Sequence, residues 1–154
     1  MEGLFSEHIV LKPGARGDLD GAETARISVK DLHKLAVIIN VASLANDLVC
    51  TLRQHDAASA GNSKDLTSVN PSYVKTDAAS VFTKKAAADA AAVTFAELNG
   101  AAGMAVLEVL SEELDVNNGF SYVSVQFTTT AARIGSAHYA SHDHRSKPSY
   151  AVSI

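Results

Sequence analysis

Four stretches of the chain are predicted to be β-strands, and in three of them apolar residues recur with the two-residue period of a half-buried strand. These stretches are residues 35–41, 48–54, 104–110 and 122–128. In the fourth, Val123, Val125 and Phe127 fall on one side of an extended chain, and polar side chains fall on the other. We therefore predict that strands build the core of the fold.

Turn residues between these stretches indicate how the strands pair. An Asn-Asp dipeptide separates the first two stretches, and an Asn-Asn-Gly tripeptide, which tolerates positive φ, precedes the fourth. We expect 35–41 to pair with 48–54 in a hairpin. By the same reasoning, 104–110 should fold back as the partner of 122–128.

The pattern predicts an all-β fold, an antiparallel β-sandwich or jelly-roll-like single domain. Residues 26–41 also fit a helix, because Leu32, Leu35 and Ile39 lie at helical spacing, but clustered Val and Ile favour strands. The alanine-rich segment 86–92 has the highest helix propensity in the chain and leaves room for one short helix.

Breaker residues and polarity divide the chain into three parts. Residues 1–24 contain one proline and several glycines and are predicted to form an extended N-terminal arm, with a frayed terminus as the alternative. Residues 25–140 form the sandwich domain, and residues 141–154 form a C-terminal tail. An arm of this kind is suited to reaching a neighbouring subunit.

Composition narrows the classes of partner. The 154 residues suffice for one domain, and the formal charge of −4 argues against direct nucleic-acid binding, which needs clustered Lys and Arg. The longest apolar stretch, 35–41, is far short of the roughly 20 residues that cross a bilayer, so no membrane contact is expected. An export signal would begin with basic residues, whereas this chain has Glu2 and Glu7 there, so we expect no export signal.

Sparse charge and a single cysteine indicate an associating protein. Charged residues make up 19 % of the chain, against about 25 % in an average globular domain, which leaves surface for contacts with other subunits. Cys50 has no intramolecular partner, so stability must come from packing or association, and folding is expected in a reducing compartment.

A histidine-rich tract near the end of the chain is a candidate metal site. His138, His142 and His144 lie close in sequence, and imidazoles are usual ligands of zinc, nickel and copper. In a strand, His142 and His144 would point to the same side. No cysteine or glutamate at a recognisable spacing completes the set, so a solvated or intersubunit role is favoured and no cofactor is expected.

Candidate catalytic residues are few. Cys50 and His55 could form a thiolate and its base, but a cysteine that alternates with Leu48 and Leu52 is better explained as a small core residue. The sequence contains no glycine-rich phosphate cradle and no Gly-x-Ser-x-Gly elbow. We expect a non-enzymatic protein without catalytic residues.

Two long segments resemble small structural proteins of tailed bacteriophages. They are RISVKDLHKLAVIINVASLANDLVCTLRQ and AVLEVLSEELDVNNGFSYVSVQF, and the resemblance extends over residues 26–139. It implies a virion component, a capsid decoration (cement) or minor capsid protein on the capsid surface, made in the host cytoplasm. The implied partners are the major capsid protein and copies of the chain itself, with a homotrimer as the expected assembly.

Two other functions remain open at this point. A ring protein of the neck or tail belongs to the same broad class and would differ in copy number. A carbohydrate- or cell-binding module is a different class, because β-sandwiches often carry such sites on their loops. That module would need exposed aromatics, and the candidates are Tyr73, Tyr122, Tyr139 and Tyr150.

Overall fold

The computed structural model describes residues 10–67, 70–86 and 90–144, and it is nearly all β. The strands in chain order are β1 (Val10–Asp18), β2 (Ile27–Ser28), β3 (Leu32–Val41), β4 (Leu48–His55), β5 (Ser63–Asp65), β6 (Ser72–Thr76), β7 (Thr83–Lys84), β8 (Ala92–Phe95), β9 (Gly103–Leu110), β10 (Tyr122–Thr128) and β11 (Ile134–His144). The predicted all-β class is confirmed.

Two antiparallel sheets form the sandwich. The larger has six strands in the order β1-β11-β3-β9-β6-β7. The smaller has β2-β10-β4-β5, and β8 adds to β4. Each sheet turns alternate residues of its strands towards the other sheet, which is the arrangement that a two-residue apolar period produces.

The core lies between the two sheets. The six-stranded sheet contributes Val37, Ile39 and Leu107, which are at most 2 % exposed, and the five-stranded sheet contributes Leu52 and Phe127 to the same buried cluster. Fully burying one such side chain contributes about 1.5–3 kcal/mol relative to leaving it in water. The inward apolar positions therefore determine that these strands face each other across the core.

Both predicted hairpins are wrong. β3 pairs with β11 and β9 in the six-stranded sheet, whereas β4 pairs with β10, β5 and β8 in the five-stranded sheet. Likewise, β9 pairs with β3 and β6, while β10 pairs with β2 and β4. Each connection crosses from one sheet to the other, and in both sheets the strands bury an apolar face in the shared core.

The connection from β9 to β10 contains the predicted positive-φ turn. Two 3-10 turns, Ser111–Glu113 and Val116–Asn118, carry the chain across, and Leu114 between them is buried. Gly119 then adopts φ +85°, the left-handed conformation in which glycine carries no Cβ penalty. The turn residues were recognised correctly, but the turn leads to the other sheet.

The described part of the predicted N-terminal arm lies against its own sheet. β1 is an edge strand that pairs antiparallel with β11, from Val10 opposite Ser141 to Asp18 opposite Ile134. Leu19 then enters the core, and the following residues run to the five-stranded sheet. The first four residues of the predicted tail continue β11 as far as His144.

Helical structure is limited to short turns. Within residues 10–67, 70–86 and 90–144, the helical elements are three 3-10 turns of three residues each, at Ala96–Leu98 and the two described above. In the alanine-rich segment, Ala92 begins β8, and residues 87–89 lie outside the described part. None of the described helices is long and apolar enough to cross a membrane.

Arg133 ties two loops together at one end of the sandwich. Its side chain is 1 % exposed and donates to four carbonyl oxygens. Those of Ala42 and Asn46 belong to the connection after β3, at 3.2 and 3.0 Å, and those of Leu98 and Ala101 belong to the connection before β9, at 2.8 and 3.1 Å. The planar guanidinium supplies donors in a fixed fork that suits such convergent acceptors.

Candidate functional site

The outward side of the six-stranded sheet is the candidate site. Its side chains form rows that cross the strands, because residues paired between neighbouring strands share a face. One row contains His138, Ile38, Val106 and Tyr73, from β11 through β3 and β9 to β6. The outer apolar face is the set of outward apolar residues Ala36, Ile38, Tyr73, Met104, Val106, Leu110 and Ala140.

Every residue of the outer apolar face is partly exposed in the described structure. Its inward neighbours are buried, as in β3, where Val37 and Ile39 are 0 % exposed and Ile38 between them is not buried. A sheet face that meets water normally carries polar residues at such positions. Apolar residues on both sides of a strand are typical of sheets that are covered on both faces.

A shallow groove extends this face at one end. It has a volume of about 430 Å³ and is lined by residues that include Asn40, Met104, Ser136 and Ile134. The Ile134 side chain is 61 % exposed. The partly exposed apolar surface therefore continues from the middle of the sheet to the start of β11.

The outward side of the five-stranded sheet has different chemistry. Its central strands β4 and β10 carry mainly polar residues there, and we call this set the outer polar face: Thr51, Arg53, His55, Ser124, Gln126 and Thr128. Glu23 lies opposite Gln126 beside β10, and its carboxylate reaches Ser124. This face is partly covered by the chain's own polar side chains.

His55 and Ser124 are fully buried members of the outer polar face. Ser124 Oγ donates to Glu23 Oε1 at 2.5 Å and lies 2.7 Å from His55 Nε2. Because the hydroxyl proton goes to the carboxylate, Nε2 carries the proton that Ser124 accepts, and no hydrogen-bond partner of the buried Nδ1 lies among the residues that the structure describes. Burial, followed by the charge of Arg26, lowers the pKa of His55, which favours the neutral imidazole.

This cluster does not have the order of a catalytic triad. In a triad the imidazole stands between the hydroxyl and the carboxylate, so that it can take the hydroxyl proton. Here the hydroxyl of Ser124 stands between His55 and Glu23, and Ser124 is 0 % exposed. The arrangement joins β4, β10 and the segment around Glu23 by hydrogen bonds.

A second polar contact joins the two sheets beside this cluster. Tyr139 on β11 donates to the carbonyl oxygen of Ala25 at 2.7 Å and is hydrogen-bonded to Thr24 Oγ1, which accepts from the backbone N–H of Val125 at 2.8 Å. Burial raises the pKa of Tyr139 to about 12. The phenol therefore stays protonated and links the segment around Thr24 to both sheets.

The structure places the three predicted metal-ligand candidates on one strand, β11. His138 is exposed on β11 opposite Ile38. His142 and His144 lie on the same strand opposite Lys34 and Leu32, and their side chains lie outside the described part. Among the described residues, no three His, Cys, Asp or Glu side chains are placed to hold a metal ion.

The candidate thiolate and its base do not form a pair. Cys50 is an inward residue of β4 and is fully buried, and burial raises the pKa of its thiol well above the usual range. His55 is an outward residue of the same strand and is bonded to Ser124. Cys50 is therefore part of the packed core, as the alternation around it indicated.

The aromatic candidates for carbohydrate binding occupy different environments. Tyr139 is 2 % exposed and belongs to the core, which removes it from that set. Tyr73 and Tyr122 are partly exposed on different sheets, and Tyr150 lies outside the described part. The tyrosines therefore do not provide a shared sugar-stacking platform in the described structure.

The sequence pattern also contained a signal for the outer apolar face that the strand assignments did not use. Ile38, Met104 and Val106 are apolar at positions where alternation calls for polar residues. The cluster of Glu23 with the buried Ser124 and His55 left no comparable signal, since the three residues are far apart in the chain and belong to no motif. No protein-family model, curated protein or solved structure matches the chain at a significant level.

Proposed function

We propose that this protein is a non-enzymatic structural subunit of a tailed-phage particle, a decoration or minor capsid protein that stabilises the head. It would be made in the host cytoplasm and act on the capsid surface. Its partners would be the major capsid protein and further copies of itself. The proposal combines the resemblance of residues 26–139 to such proteins with the surfaces of the sandwich.

The observation that carries the proposal is the outer apolar face. Ile38, Val106 and Tyr73 lie side by side across three strands and remain partly exposed. Removing apolar surface from water contributes about 25 cal/mol per Å², so a face of this kind favours assembly. A structural subunit that binds neighbouring proteins would bury such a face in its contacts.

The charge of the chain supports the same function. Long-range repulsion between neighbouring copies depends on the net charge, which is only −4 for 154 residues. Repeated copies on a lattice gain from multivalency, because each bound copy raises the effective concentration of the next contact. Weak individual contacts therefore suffice for stable decoration.

The mechanism in this proposal is mechanical. Each copy would bind the assembled shell and, by mass action, stabilise the conformation of the shell to which it binds. Expansion of the shell under internal pressure must then also break the contacts made by every copy. No residue needs to touch a substrate, and the buried groups of the sandwich serve to keep the subunit rigid.

Counting copies in purified particles from the source of the gene tests the proposal. A decoration protein should be present in hundreds of copies, quantified by mass spectrometry against the major shell protein. About a dozen copies would favour a ring at the neck or tail, as expected for closed cyclic symmetry. Absence from particles would contradict a virion function.

A further inference from the structure

We propose that the outer apolar face is a two-fold interface at which two copies of this chain pack sheet against sheet. The inference deepens the proposed function and rests on it for its biological setting, because it names the first partner of the subunit. The contact would bring the six-stranded sheets of two sandwiches together at the usual spacing of about 10 Å.

The strands themselves indicate that something covers this face. β3 and β9 are the two central strands, and they carry Ala36 and Ile38, and Met104, Val106 and Leu110, at outward positions. A strand with apolar residues on both sides is typical of a sheet buried on both faces. In the five-stranded sheet the central strands do not share this feature, since their outward positions are mainly polar.

The charges on the central strands favour a second copy as the occupant. In a two-fold contact the same patch meets itself, so an uncompensated charge close to the two-fold axis would lie against the same charge of the partner copy. Lys34 and Glu108 form an ion pair at 2.7 Å across β3 and β9, which cancels both charges within one copy. Lys75 remains on β6, and Arg16 and Lys84 lie on the two edge strands, at the rim of the contact.

The dimensions of the sheet are sufficient for a dimer. Six strands at about 4.8 Å spacing span about 24 Å, and eight residues at about 3.4 Å each span about 27 Å, which gives roughly 650 Å² for one face. Two such faces would bury about 1,300 Å² in total, within the range of specific protein–protein interfaces. A face-to-face contact is closed and does not build a trimer, so it competes with the homotrimer that the phage resemblance implies.

Sedimentation of the full chain tests the interface. We expect a mass of twice 16.1 kDa that dissociates on dilution over a range of about 1 to 100 µM. Val106→Glu should raise the dimer Kd by at least about 100-fold, since each copy would place a carboxylate in the centre of the contact. Val49→Glu is the matched control, because Val49 is a partly exposed outward valine on the central strand β4 of the other sheet. The dimer Kd of this variant should change by no more than about threefold.

A second pair of variants keeps the test decisive if Val106→Glu fails to fold, as judged by circular dichroism. Lys34→Glu replaces an ion pair with two carboxylates per copy and should raise Kd by at least about 10-fold. Lys34 is 46 % exposed, so the fold should tolerate the change. Adding Glu108→Lys to the Lys34→Glu variant recreates the ion pair with its charges exchanged and should restore dimerisation.

The outcomes separate this inference from the proposed function. A monomer at all concentrations, a trimeric mass, or a dimer that Val49→Glu disrupts and Val106→Glu does not would overturn the two-fold interface. Hundreds of copies per particle together with a monomer in solution would retain the proposed function and reject the interface. A dimer that is absent from particles would retain the interface and reject the function.

Discussion

The outer apolar face and the outer polar face belong to sheets that contribute equally well to one core, yet their chemistry is opposite. On the six-stranded sheet, Ile38 and Val106 stay partly exposed and apolar. On the five-stranded sheet, the outward Ser124 and His55 are polar and fully buried, because Glu23 and its neighbours cover them.

Inward and outward positions of the strands therefore have different roles. Inward residues such as Val37 and Phe127 are buried in both sheets and determine the sandwich. Outward residues determine what each sheet meets next, either the chain's own polar side chains or another molecule. Matched substitutions at buried polar and at partly exposed positions should therefore have unequal effects on stability.

Ser124→Ala should destabilise the fold by about 1–3 kcal/mol in urea unfolding, because buried groups lose their hydrogen-bond partner. His55 Nε2 and Glu23 Oε1 both depend on Ser124 Oγ, and they lie 3.4 Å from each other. The control is Ser136→Ala on the outer side of the six-stranded sheet, where Ser136 is partly exposed, with an expected change within about 0.5 kcal/mol. Equal losses in the two variants would contradict the contrast.

Tyr139→Phe should cost about 1–2 kcal/mol, since the carbonyl of Ala25 loses a donor and Thr24 loses its acceptor. Tyr73→Phe makes the same chemical change on the outer apolar face, where the side chain is partly exposed. We expect a change within about 0.5 kcal/mol for that control. Thermal or urea unfolding of both variants measures the difference, and a Tyr139→Phe protein as stable as the parent would show that the hydroxyl is dispensable.

Acidification should destabilise the protein through His55. Its folded pKa lies below the ordinary 6.5, mainly because burial disfavours the imidazolium; Arg26 and Arg53 lower it further, while Glu23 and Asp56 oppose them. The unfolded chain therefore takes up a proton first as the pH falls through 6.5. Stability from this group is complete above that pH and is lost progressively as the pH falls below it.

Urea unfolding at several pH values checks this expectation. His55→Gln should flatten the pH dependence below about pH 6.5, because the titrating group is gone. His138→Gln is the control on the other sheet, since His138 is exposed, and it should leave the slope unchanged. An unaltered slope in His55→Gln would assign the pH dependence to other groups.

The strands were predictable from sequence because their inward residues alternate strictly. Leu48, Cys50 and Leu52 in β4, and Val123, Val125 in β10, occupy the core as their spacing indicated. Strand pairing was not predictable in the same way. A turn such as the one ending at Gly119 reverses the chain equally well within one sheet or between two, and only the packing of the whole domain decides.

The two outer faces differed in how much sequence could reveal. Ile38, Met104 and Val106 carry a local signal, because they are apolar at outward positions. Glu23, His55 and Ser124 come from three distant segments, and their contact depends on how the edge of β10 is covered. The sequence alone therefore indicates an apolar outward surface, but it does not indicate which distant polar groups form hydrogen bonds.

The position of β11 has a consequence for biosynthesis. This last strand lies between β1 and β3, so both earlier strands emerge from the ribosome without their central neighbour. At about 5–20 residues per second, the roughly 90 residues between β3 and β11 take about 5 to 20 seconds to translate. During that interval a nascent chain would expose strand edges to other nascent chains, and the sheet would close only when residues 134–144 become available.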